Sequence, residues 1–289
     1  MSSSEQRKQS GQQATAQAEA GSAEHLNNIR RVIAVMSGKG GVGKSFVTGI
    51  MAAELRRQGF RVGILDADIT GPSIPKIFGT TDRPLSGPVG ILPVRSRTGV
   101  DIISINLMLE NEDDPVVWRG PLIARAIRQF WGDVFWRDLD YMLVDLPPGT
   151  SDAPLTVMQS LPLDGIVLVT SPQDLAGMVV RKAAHMAGQL HVPILGVVEN
   201  MSYVTCPRCG EPFELFGPSH ISAICEPQGI PVLARLPLDP AMSALCDLGE
   251  IEACASALWA PLVESLLDAL PPEKVKPHHG PAQEAQPVS

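Results

Sequence analysis

The stretch Met36-Ser37-Gly38-Lys39-Gly40-Gly41-Val42-Gly43-Lys44-Ser45 limits what this chain can fold into more than any other. It follows the apolar run Val32 to Val35 and opens into Phe46 to Gln58, so it sits at a strand-to-helix junction. It fits G-x-x-x-x-G-K-[ST], with Gly38, Gly43, Lys44 and Ser45 in the defining positions. Glycines at 38, 40, 41 and 43 permit backbone angles closed to other residues. Successive N–H groups, those of Val42 and Phe46 among them, can then turn onto phosphate oxygens at the positive end of the following helix. In such a cradle Lys44 reaches the β- and γ-phosphates of ATP and the Ser45 hydroxyl holds Mg²⁺. Lys39 is a second lysine inside the loop that the general pattern does not require; its plainest reading is a solvated loop side chain.

The surrounding pattern is that of an α/β protein, a P-loop NTPase fold with a mostly parallel central sheet flanked by helices. Arg61 to Leu65 gives a second short strand ending in Asp66-Ala67-Asp68. Ligands bind outside the carboxyl ends of parallel strands, which puts both acids beside the phosphates. One could join the Mg²⁺ shell and the other orient the attacking water; a pair of turn-forming aspartates is the plainer alternative. Tyr141 to Val144 is a buried strand ending in Asp145-Leu-Pro-Pro-Gly-Thr-Ser-Asp152. Asp145 stands where a second Mg²⁺-associated carboxylate belongs, and Gly149 could bring a backbone N–H to the γ-phosphate, making the segment a nucleotide-sensing switch.

Elsewhere, Pro88 to Leu92 and Val100 to Ile105 read as short strands forming a hairpin at the sheet edge. Pro121 to Trp131 has helical spacing, and Trp118, Trp131 and Trp136 suit a core or an interface. Gly165 to Thr170 and Val192 to Val198 are further strands. Between them lies a helix presenting Leu175, Met178, Val179, Ala183 and Met186 on one face. Asn200 follows at the sheet edge, where its amide could read adenine or simply make a turn. After Cys209 the chain runs through Phe213 to Phe216, a helix to about Gln228, a strand Pro231 to Ala234, Leu236 to Pro240, and two helical stretches to Leu270.

Composition divides the chain into a polar leader over 1–27, expected to be disordered, one ATPase domain over 28–270, and a Pro-rich, disordered tail over 271–289. A net charge of −8 argues against a nucleic-acid partner. No apolar run reaches the roughly 18 residues of a membrane span, and the leader lacks a signal-peptide core, which points to a cytoplasmic protein without a membrane partner. Of five cysteines, Cys206 and Cys209 form C-x-x-C, whose turn brings both sulfurs to one side of a metal. A tetrahedral zinc or a [4Fe–4S] cluster wants four ligands, and Cys225, Cys246 and Cys254 lie in contexts that suit buried thiols. A twofold dimer would supply the missing pair; His220 is the nearest other ligand. Spacing alone does not choose between iron–sulfur and zinc.

The K-G-G-V-G-K-S form resembles the deviant Walker A loop of the MinD, ParA and nitrogenase iron protein group, whose first lysine reaches the nucleotide of the partner subunit. Taken with Asp66 to Ser73, Asp145 to Asp152, Glu199-Asn-Met-Ser202 and Cys206-Pro-Arg-Cys209, residues 28–270 resemble the Mrp/ApbC family of iron–sulfur carrier ATPases. The resemblance implies a homodimer that binds ATP in each subunit, carries a [4Fe–4S] cluster bridged by two Cys206/Cys209 pairs, and delivers it to apo iron–sulfur proteins. It also implies roles for single residues: Lys39 as the trans-acting lysine, Asp68 as the activator of water, Asp145 as the Walker B acid, Asn200 as an adenine contact, and Pro237 and Leu238 as base-lining residues. Two rivals differ in what they require. A MinD-like positioning ATPase would want an amphipathic tail or a basic face, which the sequence lacks. An ATPase with a structural zinc would want only the C-x-x-C.

Overall fold

The computed structural model describes residues 23–68, 71, 73–104, 107, 120–150, 152–172, 176–254 and 257–272. Expectations for 1–22, for Ile69, Thr70, Pro72, Ile105, Trp118, Ser151 and Leu175, and for 273–289 lie outside the described residues.

A 3-10 turn, Ala23–Leu26, leads into β1, Asn28–Ser37, and then α1, Lys44–Arg57, and β2, Val62–Asp66. Next come α2, Ile74–Phe78, the short strands β3, Leu85–Gly87, β4, Gly90–Leu92, and β5, Val94–Arg95, then β6, Asp101–Ser104. The middle of the chain gives α3, Gly120–Gly132, β7, Asp138–Asp145, α4, Asp152–Gln159, β8, Gly165–Thr170, and α5, Ala176–Leu190. The last part contains β9, Ile194–Thr205, β10, Pro212–Phe213, α6, Ile221–Cys225, β11, Val232–Pro237, α7, Pro240–Asp247, and α8, Ala260–Ala269.

The main sheet runs β10-β9-β8-β1-β7-β2-β6-β5, with β11 also on β9. All pairings among β9, β8, β1, β7, β2, β6 and β11 are parallel; β5 and β10 are antiparallel additions. Side chains of a strand alternate between faces, and β1 shows the result. Val32, Ala34 and Met36 enter one core with α3, α4 and α5, while Ile33 and Val35 enter the other with α1 and α8. A strand buried on both faces needs a continuous apolar run, which is what Val32 to Val35 supplies.

β7 slots between β1 and β2, although the chain forms β2 first. Register then aligns Val35 with Asp145 and Asp145 with Asp66, so the carboxyl ends of three adjacent strands converge beside the phosphate loop. Such a crevice at the strands' carboxyl ends is where ligands of open α/β sheets bind.

Three expectations need correction. β6 is an internal parallel strand beside β2, not the partner of 88–92: β4 pairs instead with β3 in a separate two-stranded sheet, and β5 turns back on β6. The inward face of α5 is Val180, Ala183, Met186 and Ala187, while Met178 is exposed. Ala23 to Asn27, assigned to the leader, belong to the fold: Ala23 is buried, and the Asn27 amide donates to the Val134 carbonyl and accepts from the Arg137 N–H. Among the other expected tryptophans, Trp136 is fully buried with its indole N–H on the Phe130 carbonyl, and Trp131 packs half-buried against the core. Among the described residues no helix is long and apolar enough to cross a membrane.

Candidate functional site

β1 delivers Ser37 to the loop and α1 begins at Lys44. Gly41 and Gly43 have φ of 79° and 82°, the left-handed region that glycine alone enters cheaply. Gly43 occupies the N-cap of α1 without a side-chain cap, so no side chain competes with an anion for the N–H groups of the first turn. The loop is braced from two sides. A Cβ at Gly38 would fall 2.2 Å from Val179 Cγ1 of α5, and one at Gly43 would fall 2.2 Å from Asn200 Nδ2. Lys39 is half-buried, and its carbonyl accepts from the Ser37 hydroxyl at 3.0 Å.

Lys44 lies among acids. Its Nζ is 2.8 Å from Asp145 Oδ2 and 3.4 Å from Asp68 Oδ2, with Lys44 and Asp145 both buried. The Ser45 hydroxyl donates to Asp145 Oδ2 and the Thr48 hydroxyl to Asp145 Oδ1 at 2.8 Å. Asp66 stands behind this pair: Ser104 donates to its Oδ2 at 3.1 Å and the Asp68 N–H to its Oδ1 at 3.2 Å. Burial, reinforced by the neighbouring Asp145 charge, pushes the Asp66 carboxyl well above the usual carboxylate range. That favours its neutral form. Ser45 and Asp145, whose oxygens already meet, are a fitting donor set for Mg²⁺, which takes hard oxygen ligands and keeps several waters.

Two of the residues expected at the nucleotide make hydrogen bonds within the chain. The Gly149 N–H donates to the Ser37 carbonyl at 2.8 Å, so the amide expected at the γ-phosphate is already bonded to the loop's entry strand. Asn200 is not at an open edge: it is 3 % exposed and its Nδ2 donates to the Val42 carbonyl at 3.0 Å. The cause is a bulge. Opposite β11, Arg235 aligns with Glu199 but Pro237 with Tyr203, so β9 spends four residues where β11 spends two. Met201 sits in that bulge at φ 59°. The excess turns Asn200 toward the phosphate loop, where its Nδ2 meets the Val42 carbonyl. Pro237 and Leu238 are half-buried at the end of β11, and the Leu238 N–H donates to the Tyr203 carbonyl.

β9 continues to Thr205 and hands over directly to Cys206. The turn Cys206 to Gly210 joins it to β10, closed by Cys206 N–H to the Glu211 carbonyl and Gly210 N–H to the Cys206 carbonyl, each 2.9 Å. The N–H groups of Cys209 and Arg208 point at the Cys206 sulfur and draw its thiol below the usual value. N–H donors on a sulfur stabilise thiolate, the form that binds metal. Cys209 is exposed, Cys225 and Cys254 are buried, and Cys246 is half-buried; burial raises the thiols of Cys225 and Cys246. Among the described residues no group of three or more His, Cys, Asp or Glu side chains is arranged to hold a metal ion. The exposed His220 does not complete one with Cys206 and Cys209.

Sequence reasoning missed Thr48, Ser104 and Arg235, whose guanidinium joins Glu199 and Ser202. Thr48 had a readable signal, since it lies one helical turn after Lys44 and shares its face. Ser104 depends on the strand pairing of β6 with β2, and Arg235 on the bulge, neither of which local pattern reveals.

Comparison with known proteins is consistent with this geometry. The family model described as ParA, NUBPL iron-transfer P-loop NTPase, matches residues 28–267. A protein of Clostridium perfringens named iron–sulfur cluster carrier protein is 43% identical over 236 residues, 79% of this chain and 83% of that one. Its namesake from Methanocaldococcus jannaschii is 44% identical, covering 81% of each chain. A nucleotide-binding protein from Archaeoglobus fulgidus, solved with ADP and with cobalt detected, shares 45% identity at a TM-score of 0.73, over 80% of this chain and 91% of its own. The Pyrococcus furiosus cell division ATPase MinD matches at a TM-score of 0.56 with 20% identity over 83% of this chain and 99% of its own, a likeness of fold alone.

Proposed function

The chain belongs to the NUBPL-type family of iron-transfer P-loop NTPases, and from that premise we propose that it is an ATP-hydrolysing homodimeric carrier that takes an iron–sulfur cluster as cargo at Cys206 and Cys209 and passes it to apo-proteins. The observation that carries the reading is the thiol pair itself: a hairpin turn whose N–H groups favour thiolate at Cys206, with no third ligand arranged beside it among the described residues. A cubane needs four thiolates, so two chains related by a twofold axis would complete it. Transfer would be ligand exchange. Each acceptor thiolate that bonds iron displaces one cysteine, and no electron donor is required. The C-x-x-C equally suits a structural zinc, which remains the reading to be tested against.

At the phosphate loop, Lys44 would leave Asp145 for the β- and γ-phosphates of ATP, while Ser45 and Asp145 would hold Mg²⁺, whose charge would offset that of the phosphates. Asp68, 3.4 Å from Lys44 and at the mouth of the strands, orients the attacking water. Lys39 acts on the nucleotide of the partner subunit. Asp66 anchors the turn that carries Asp68 by accepting from the Asp68 N–H. Pro237 and Leu238 border the base, and the 145–152 segment responds to the γ-phosphate through the Ser37–Gly149 bond. The acidic net charge and the lack of membrane-crossing helices among the described residues fit a carrier working in the cytoplasm.

The test separates the two ends. Lys44→Ala should abolish ATP hydrolysis, while Cys206→Ala should hydrolyse ATP and fail to activate an apo iron–sulfur enzyme. Equal delivery by Cys206→Ala and wild type would reject the cargo site.

A further inference from the structure

A chain of polar contacts runs from the phosphate loop to the cysteine hairpin. It starts at the Val42 carbonyl, which accepts from Asn200. Next to Asn200, the Glu199 carboxylate is 1 % exposed and accepts from the Ser202 hydroxyl and, at 3.3 Å, from Arg235 Nε. Arg235 Nε also donates to Ser202 Oγ at 2.8 Å, so the guanidinium grips both flanks of the Asn200–Met201 bulge. Its Nη2 reaches the other way, to Glu214, the residue directly after β10. β10 is the second leg of the hairpin whose turn carries Cys206 and Cys209.

We propose that Arg235 is a positioning residue that couples the state of the nucleotide loop to the arrangement of Cys206 and Cys209. The physics is that of a rigid fork. A guanidinium fixes its donors in one plane, so a shift of the bulge that follows Val42 and Asn200 rotates the plane and carries Glu214 with it. A buried carboxylate cannot give up its cation cheaply, so Glu199 keeps Arg235 on the bulge as it moves. The hairpin has little else to hold it: residues Cys209 to Phe216 are exposed, and β10 pairs over Pro212 and Phe213 only. The route is distinct from the 145–152 segment and requires no contact between that segment and the cysteines. The inference concerns the thiols of the apo-protein and rests on the carrier reading only for its biological use.

The experiment is mass-resolved alkylation of Cys206 and Cys209 by iodoacetamide in the full chain, with ADP or a non-hydrolysable ATP analogue. Wild type should show rates differing about five-fold or more between the two nucleotides, the lower end of ordinary site-to-site coupling. Glu214→Ala leaves the contact of Arg235 with the buried Glu199 carboxylate intact; it should bind both nucleotides as wild type does and bring the ratio to about one. Arg235→Ala should do the same where it folds, and Arg235→Lys, which keeps the charge without the fork, should restore only part of the ratio. A wild-type ratio near one, or a Glu214→Ala ratio equal to wild type, overturns the proposal. Cobalt titration of the same samples reads the metal site separately. Absent thiolate-to-cobalt bands would refute the ligand reading of the cysteines while leaving the alkylation result to judge Arg235.

Discussion

Removing the Lys44 ammonium from the nucleotide-free protein should destabilise the fold itself as well as stop catalysis. Lys44 is the cation among three buried acids, 2.8 Å from Asp145 and 3.4 Å from Asp68, with Asp66 bonded to the Asp68 backbone. Taking one partner from a buried pair typically costs about 3–5 kcal/mol, because the remaining charge is left in a poor solvent. For a domain of this size that lowers the melting temperature by on the order of 10 °C. The loss must depend on pH. Asp66 has a raised folded-state value, held down in part by Lys44. A raised value contributes stability that is fully present below the ordinary carboxylate pKa and lost as pH rises through the folded value. Without Lys44 the folded value climbs further, so the deficit of Lys44→Ala relative to wild type should widen with rising pH and narrow on acidification. Urea unfolding of both proteins, free of nucleotide and Mg²⁺, at pH 5 and pH 7.5 measures this. A deficit below about 1 kcal/mol, or one equal at the two pH values, would refute the view of Lys44 as the counter-ion of the acid cluster.

Asp68→Asn should keep ATP affinity while lowering turnover at least about 100-fold, the usual scale for a lost general base, as steady-state assays at saturating ATP would reveal. Gly43→Ala meets both a left-handed φ and the Asn200 amide. At about 1–2 kcal/mol for the backbone and about 1 kcal/mol for the displaced hydrogen bond, urea unfolding should show a loss of about 2–3 kcal/mol. Mixing Lys39→Ala with Lys44→Ala subunits should recover activity absent from either alone, since one site in each heterodimer then has both lysines; full activity of Lys39→Ala by itself would exclude a role across the interface.

Much of this architecture was legible because parallel strands buried on both faces must read as apolar runs, and β1, β2, β7 and β8 do. The terminal aspartates of β2 and β7 were legible for a related reason: a charge that ends an apolar run marks a strand's carboxyl end. What hydropathy concealed was pairing. Nothing local says that β7 lies between β1 and β2, or that β6 joins β2 rather than the 88–92 segment, since strand order is decided by crossovers. β9 was read as ending at Val198 because Glu199, Asn200 and Ser202 interrupt its apolar pattern, yet all three are buried. They are tolerated there because each has a partner, in Arg235, Val42 and Glu199 respectively. The α5 face slipped by one position because Val179 and Val180 are chemically equal and only the nearness of Gly38 assigns Val179 to the loop. Glycine, lysine and cysteine spacing thus revealed the ends of the site, while the polar connection between them required the fold.

Strictly anaerobic isolation and reconstitution of the full chain, followed by iron, sulfide and zinc analysis with native mass, tests the carrier account most directly. The account predicts a brown dimer holding about two irons and two sulfides per chain, one [4Fe–4S] cluster shared by two Cys206/Cys209 pairs. A colourless protein with stoichiometric zinc that refuses iron would contradict it.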